Sequence, residues 1–259
     1  MATQQASRIL SKGLVLLEAL AECPDGMEAN TVAETMGLHR SSVYRYLNPL
    51  IEKGFVEKRT DGSYELGSRV LELATLRLER IDLRGIAHTA LISLCEETAA
   101  TVHMCQLDGP EVVYLDKVET PRTLPLYSRI GGRAPAFCTG VGKALLAFVH
   151  PERLERILAQ TEFLRYTQNT LPDEQALRDQ LSEINQRGYA VDCGEHEENV
   201  YCVAAPVFNY AGDTVVSISV TDLQRKFVEH EERYREPLLR TCSAISRKLG
   251  FRSKGAQDE

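Results

Sequence analysis

The chain has 259 residues, 43% of them hydrophobic and 26% charged, which is ordinary globular composition and enough length for one large domain or two modest ones. Its formal net charge of −7 excludes a surface that attracts nucleic acid everywhere and leaves room only for a local basic patch. No apolar run approaches the roughly 18 residues of a membrane span, the opening MATQQASRILSKG lacks the apolar core of a secretory signal, and seven cysteines without a CxxC pair argue against a disulfide framework, so a cytoplasmic location without a membrane partner is expected.

Residues 8–22 place Ile9, Leu10, Leu14, Leu17, Leu20 and Ala21 on one stripe at helical spacing, and Pro24 and Gly26 end that helix in a turn. A short helix follows at about Ala29–Met36, with Asn30 or Thr31 as its cap, Glu34 in its first turn and Gly37 closing it. A third helix runs from about His39 to Lys53 and stops at Gly54. Pro49 falls inside it, removes a backbone hydrogen bond to Arg45 and is expected to kink or shorten it. The period then changes: Phe55–Arg59 and Tyr64–Leu66 read as two strands around the turn at Asp61-Gly62-Ser63. Helix, helix-turn-helix and hairpin within about 65 residues predict a winged helix-turn-helix.

Residues 68–97 are helical in pattern, with Gly85 as the division between a linker helix and the next domain. Strand and helix signals alternate from Thr101: a hairpin turning at Asp108-Gly109-Pro110, helices over 140–149, 151–160 and 173–187, strands at Tyr189–Asp192, Cys202–Phe208 and Thr214–Thr221, and a closing helix over 229–249. That segregation predicts an α+β sheet with helices packed beside it.

In a helix-turn-helix the second helix enters the major groove while the first spans the backbone. Val43, Leu47 and Leu50 define the core face of the third helix, which turns Arg40, Ser41, Tyr44, Arg45 and Asn48 outward. Ser42 and Thr31 join them as backbone contacts, and Lys58 and Arg59 sit near the wing tip. Arg suits guanine edges or phosphate, Asn suits adenine, and Ser and Tyr suit phosphate oxygens. Residues 39–64 hold five basic side chains (40, 45, 53, 58, 59) against three acids (52, 57, 61), a local balance of +2 that fits DNA or an ordinary solvated helix.

The segments Thr31-Val-Ala-Glu-Thr-Met-Gly-Leu38, Ser41-Ser-Val-Tyr-Arg-Tyr-Leu47, Gly54-Phe-Val56 and Tyr64-Glu-Leu-Gly67 resemble the N-terminal domain of IclR-type regulators. Thr139-Gly-Val-Gly-Lys-Ala-Leu-Leu-Ala147, Gly188-Tyr-Ala-Val-Asp192, Gly194-Glu195 and Cys202-Val-Ala-Ala-Pro-Val207 resemble its effector domain. The match runs in order from about residue 7 to 250. It implies a winged helix-turn-helix over 7–67, a linker helix over 68–82 and a GAF-like effector-binding domain over 83–251, with no catalysis, no cofactor and no resident metal. The partners implied are double-stranded operator DNA, a small carboxylate effector and further copies of the chain, as homodimer or homotetramer. The run Leu126-Tyr-Ser-Arg-Ile-Gly131 with Arg133 is similar to the branch that includes the ketodeoxygluconate repressor, implying a sugar acid such as 2-keto-3-deoxygluconate.

Carried over by position, the family pocket falls on Gly140, Val141, Asp192, Cys202, Ser219 and Thr221. Free N–H groups at Gly140 and Val141 would receive a carboxylate, Asp192 would accept from a hydroxyl, and Arg129 is added as a charge partner. Asn199 stands where the family commonly has glycine and tolerates a left-handed backbone better than most residues. Each candidate also has a plain reading: core cysteine, exposed strand hydroxyls, turn aspartate. Two other functions stay open on sequence alone. Cys193, His196 and Cys202 would serve a zinc- or redox-responsive regulator, and Cys138, Cys193 or Cys202 with His103 or His196 would serve a thiol enzyme, which leaves the helix-turn-helix unexplained.

Overall fold

The apolar stripe of the first helix builds α1 (Ala2–Ala21), which buries Leu16 and Leu20 in a cluster with Met27, Val32, Val43, Leu47, Val56 and Tyr64. The computed structural model describes residues 2–78, 82–119, 121, 126 and 128–252, and the chain divides into two units, Met1–Ile81 and Asp82–Glu259. Residues 79–81 of the expected linker and Tyr127 of the 126–131 run lie outside the described residues.

In the first unit α1 is followed by α2 (Ala29–Thr35), α3 (Arg40–Glu52), β1 (Val56–Lys58), β2 (Tyr64–Leu66) and α4 (Ser68–Leu78), a winged helix-turn-helix. The expected caps of α2 are corrected. Its N-cap is Glu28, which makes no side-chain cap bond, and Asn30 and Thr31 lie inside the helix with Glu34 at its far end. Met27 exchanges backbone hydrogen bonds with Tyr64 of the hairpin (2.9 and 2.8 Å), so the chain is extended up to Glu28 and the helix starts at once. Gly37 adopts φ +60°, and the Leu38 amide reaches the Ala33 carbonyl at 2.8 Å, closing α2 with a left-handed residue. Pro49 does not shorten α3, which continues to Glu52. Arg45 and Pro49 are both exposed, so water can serve the Arg45 carbonyl that Pro49 leaves without a helical donor.

The second unit runs α5 (Leu83–Thr98), β3 (Thr101–Asp108), β4 (Glu111–Val118), β5 (Arg133–Pro135), α6 (Gly140–Leu146), α7 (Pro151–Leu158), α8 (Glu174–Arg187), β6 (Ala190–Cys193), β7 (Val200–Phe208), β8 (Thr214–Leu223) and α9 (Gln224–Lys248). Gly85 is not the divider between the two helices. Asp82 caps α5 by accepting from the Gly85 amide at 3.1 Å, so Gly85 sits in the first turn, where a Cβ would press on the Asp82 carboxylate. The six strands form one antiparallel sheet in the order β5-β4-β3-β8-β7-β6. Helices α5 and α9 cover one face and α6, backed by α8, the other.

Two features of this sheet position the site. Asp192, Cys202 and Thr221 lie opposite one another on β6, β7 and β8, and Ala204, Ser219 and His103 form the next row on β7, β8 and β3. Register slips between β3 and β4, where Met104 pairs Asp116 but Cys105 pairs Tyr114. That bulge turns Tyr114 onto the face that carries His103 and Cys105. β5 was not anticipated, being only three residues long.

Candidate functional site

The first unit offers a helix face. Val43 and Leu47 are completely buried, which anchors α3 and leaves Arg40, Ser41, Tyr44, Arg45 and Asn48 exposed, with Ser42 half-buried and Thr31 exposed on α2. Lys58 is exposed and its ammonium lies 5.9 Å from the Tyr64 ring centroid. Arg59 is half-buried beside the turn of the hairpin, its guanidinium 3.9 Å from Asp61 and 3.6 Å from Glu65 and 3.5 Å from the Pro24 carbonyl.

The second unit holds a cavity of about 50 Å³ on the α6 face of the sheet, lined by Gly140, Val141, Asp192, Cys202, Ser219 and Thr221 together with His103, Tyr114, Thr139, His196, Glu197 and Val200. Six of the seven expected effector residues therefore meet at one place. Arg129 does not; it is exposed on the turn before Gly131, where its carbonyl accepts from Gly132 at 2.9 Å. Ser219 and Thr221 are buried, so they are not exposed strand hydroxyls.

Close packing of α6 on β7 and on the segment that precedes the helix explains the glycines. A Cβ on Gly140 would collide with Cys202 Sγ, and one on Gly142 with the backbone of Ala136. Thr139 caps the helix, its Oγ1 accepting from the Gly142 amide at 3.3 Å and donating to the Pro135 carbonyl at 2.9 Å. Over the mouth, the 194–199 loop is pinned from outside. Thr167 Oγ1 donates to the Gly194 carbonyl (2.7 Å), Thr170 Oγ1 to the Glu195 carbonyl (2.7 Å) and Asn169 Nδ2 to the Cys193 carbonyl (2.8 Å). Asn199 does take the left-handed conformation, φ +63°.

Behind the cavity lies a charge cluster that sequence reasoning missed. Lys143 is completely buried and donates to Glu195 Oε1, to Gln180 Oε1 at 2.8 Å and to the Val191 carbonyl at 3.0 Å. Asp192 Oδ1 accepts from the Glu195 amide at 2.8 Å. Glu195 Oε2 is buried without a hydrogen-bond partner among the described residues. Burial first, and then the neighbouring Glu195 charge, push the Asp192 carboxyl up to about 7, against the opposing pull of Lys143. Burial raises Glu195 as well, with Lys143 opposing. The signal for this cluster was a lysine within the apolar run Gly140-Val-Gly-Lys-Ala-Leu-Leu146.

Both alternative functions meet physical obstacles. Along β6 successive side chains alternate: Asp192 is buried and Cys193 exposed. Cys202 faces the cavity with Asp192, so Cys193 points to the other side of the sheet and the zinc set does not assemble. Among the described residues no group of three or more His, Cys, Asp or Glu side chains could hold a metal ion. A thiol nucleophile needs a stabilised thiolate, yet burial pushes Cys138 and Cys202 up, and burial with Lys117 nearby lowers His103 to about 3.

Comparison with known proteins places the chain. Residues 9–60 match the model of the IclR helix-turn-helix domain and residues 75–247 that of the bacterial transcriptional regulator IclR C-terminal domain. The chain is 30% identical to the HTH-type transcriptional regulator KipR of Bacillus subtilis, covering 96% of this chain and 99% of that one, and 32% identical to the HTH-type transcriptional regulator KdgR of Dickeya chrysanthemi, covering 91% and 78%. Its fold is similar to that of Thermotoga maritima IclR, with a TM-score of 0.63 at 35% identity over 95% of this chain and all of the other. The protein belongs to the IclR family of transcriptional regulators, built from a winged helix-turn-helix and an α+β effector domain.

Proposed function

We propose that this regulator is a repressor whose cavity in the second unit takes a small carboxylate and whose α3 face reads a palindromic operator. The observation that carries the effector half is the meeting of Gly140, Val141, Asp192, Cys202, Ser219 and Thr221 around one cavity. Amides at the start of α6 would receive the carboxylate, while the hydroxyls of Ser219 and Thr221 and the Asp192 carboxyl would read the oxygen substituents. About 50 Å³ corresponds to roughly four water positions, which suits a short hydroxy or keto acid. A six-carbon acid such as 2-keto-3-deoxygluconate, favoured by the 126–131 run and the similarity to KdgR, requires the 194–199 loop to move outward.

On the DNA side, Arg40, Arg45 and Asn48 would address base edges, with Thr31, Ser41, Ser42, Tyr44, Lys58 and Arg59 on the backbone. The exposed leucines Leu10 and Leu14 of α1 and Leu71 and Leu76 of α4 suit burial against a second copy, and a dimer matches half-sites about 10 base pairs apart. We assign the DNA-binding domain to 7–67, the linker to 68–82 and the effector domain to 83–251. Ligand shifts the protein between two arrangements only by its differential affinity for them.

The test pairs two variants. Arg45→Ala should weaken operator binding, by electrophoretic shift, roughly tenfold or more and leave ligand-induced thermal stabilisation intact. Ser219→Ala should reduce that stabilisation and leave DNA affinity of the ligand-free protein unchanged. Equal loss of both functions in either variant would sink the division of labour.

A further inference from the structure

We propose that the cavity takes its carboxylate ligand together with one proton, held between Asp192 and Glu195, so that ligand binding is proton-linked. The inference rests on the effector-cavity reading above and supplies its charge balance.

An anion in a buried site needs a facing cation or hydrogen-bond donors. Among the described residues two lysines lie near this cavity, and neither lines it. Lys143, on α6, directs its ammonium at Glu195, Gln180 and the Val191 carbonyl. Lys117, on β4, is held by Glu119 at 2.9 Å and by the Leu126 and Ser128 carbonyls at 3.0 and 2.9 Å. Of the two histidines that do line it, His103 on β3 holds Ser128 Oγ at 2.8 Å through Nε2, and its charged form is opposed by burial and Lys117. Burial likewise opposes charging of His196 in the loop. The thiols of Cys138 and Cys202, which also face Asp192, are kept neutral by burial. Arg129 is outside.

The lining does contain acids, Asp192 and Glu197, with Glu195 directly behind Asp192. Lys143 balances one carboxylate of the buried pair. The second would be an uncompensated charge in a buried place, and Glu195 Oε2 already lacks a donor among the described residues. One proton shared by the pair, titrating as a unit, makes the cluster neutral. An incoming carboxylate strengthens that demand, because its charge faces Asp192 and raises the pair's proton affinity further. Protonated Asp192 then donates a hydrogen bond to the ligand instead of repelling it.

In the free protein the Asp192 carboxyl is pushed up to about 7. Affinity is therefore nearly flat below about pH 7 and falls about tenfold per pH unit above it. Isothermal titration calorimetry of the full chain with pyruvate, 2-keto-3-deoxygluconate and 4-hydroxybenzoate, each in two buffers of different ionisation enthalpy, reads the protons taken up. Uptake near zero at about pH 6 and approaching one at about pH 8.5 is the expected result. Asp192→Asn, checked for folding by its thermal transition, should bind the same probe with affinity independent of pH, because its amide donates without titrating. Binding with no proton uptake at either pH overturns the proposal and leaves the effector site standing. Binding by none of the three probes overturns the carboxylate reading and this proposal with it.

Discussion

Replacing Lys143 by Met keeps the length and apolar stem of the side chain and removes its charge, leaving Glu195 buried beside Asp192 with no cation among the described residues paired to it. Lys143 and Glu195 are 0% and 5% exposed, so solvent screens little of the loss. Removing one member of a buried ion pair costs about 3–5 kcal/mol, against a typical domain stability of about 5–15 kcal/mol. For a unit of this size that lowers the thermal midpoint by about 10 °C. Hydrogen exchange at the amides of β6 and β7 reports the second unit alone, so unfolding of the first does not mask it. Adding Glu195→Gln removes the stranded charge and should restore more than half of the loss. A single-variant cost below about 1 kcal/mol, or a second substitution that only adds to the loss, would refute the charge-cluster reasoning.

Asp192 gives a pH signature with a definite sign. Its folded-state pKa is raised to about 7 from 3.8, so its contribution is fully present below the lower value and is lost as pH rises toward 7. Stability of the second unit should fall by up to a few kcal/mol across that window, at about 1.4 kcal/mol per unit of pKa difference, and then level off; urea titrations of Asp192→Asn should show this slope abolished. Gly67→Ala drives a Cβ into the Gly54 carbonyl at the end of α3, and overpacking of this kind costs about 1–3 kcal/mol; the first unit should melt earlier while the second is unchanged by circular dichroism and exchange. Gly140→Ala meets Cys202 Sγ and should abolish ligand-induced stabilisation, with Cys202→Ala in the same chain restoring space and part of the binding.

The local architecture was legible because it rests on local chemistry. The apolar spacing of α1 and α3, the closing glycines 37 and 54, and the Asp108-Gly109-Pro110 turn act within a few residues of themselves. Features set across the chain were not. Tyr114 reaches the cavity only because a bulge opposite Met104 and Cys105 reverses its facing, and no alternation pattern contains that. Lys143 and Glu195 are 52 residues apart, so only the oddity of a lysine among small apolar residues hinted at the pair. By sequence His103 has the chemistry of a catalytic base, whereas in the fold burial keeps it a neutral wall of the cavity. The zinc set failed on strand parity: the strand expected to end at Asp192 extends through Cys193, and the pairing of Asp192 with Cys202, a register set across the sheet, puts Cys193 on the opposite face.

The polar wall of the cavity draws one residue from each of several strands: Asp192 from β6, Cys202 from β7, His103 from β3, with Ser219 and Thr221 from β8. Each is fixed in position by backbone hydrogen bonds that do not depend on its side chain. Exchanging one of them changes the chemistry at one point of the wall without shifting the others, so ligand preference can drift one substitution at a time while the sheet and the DNA-reading unit stay intact.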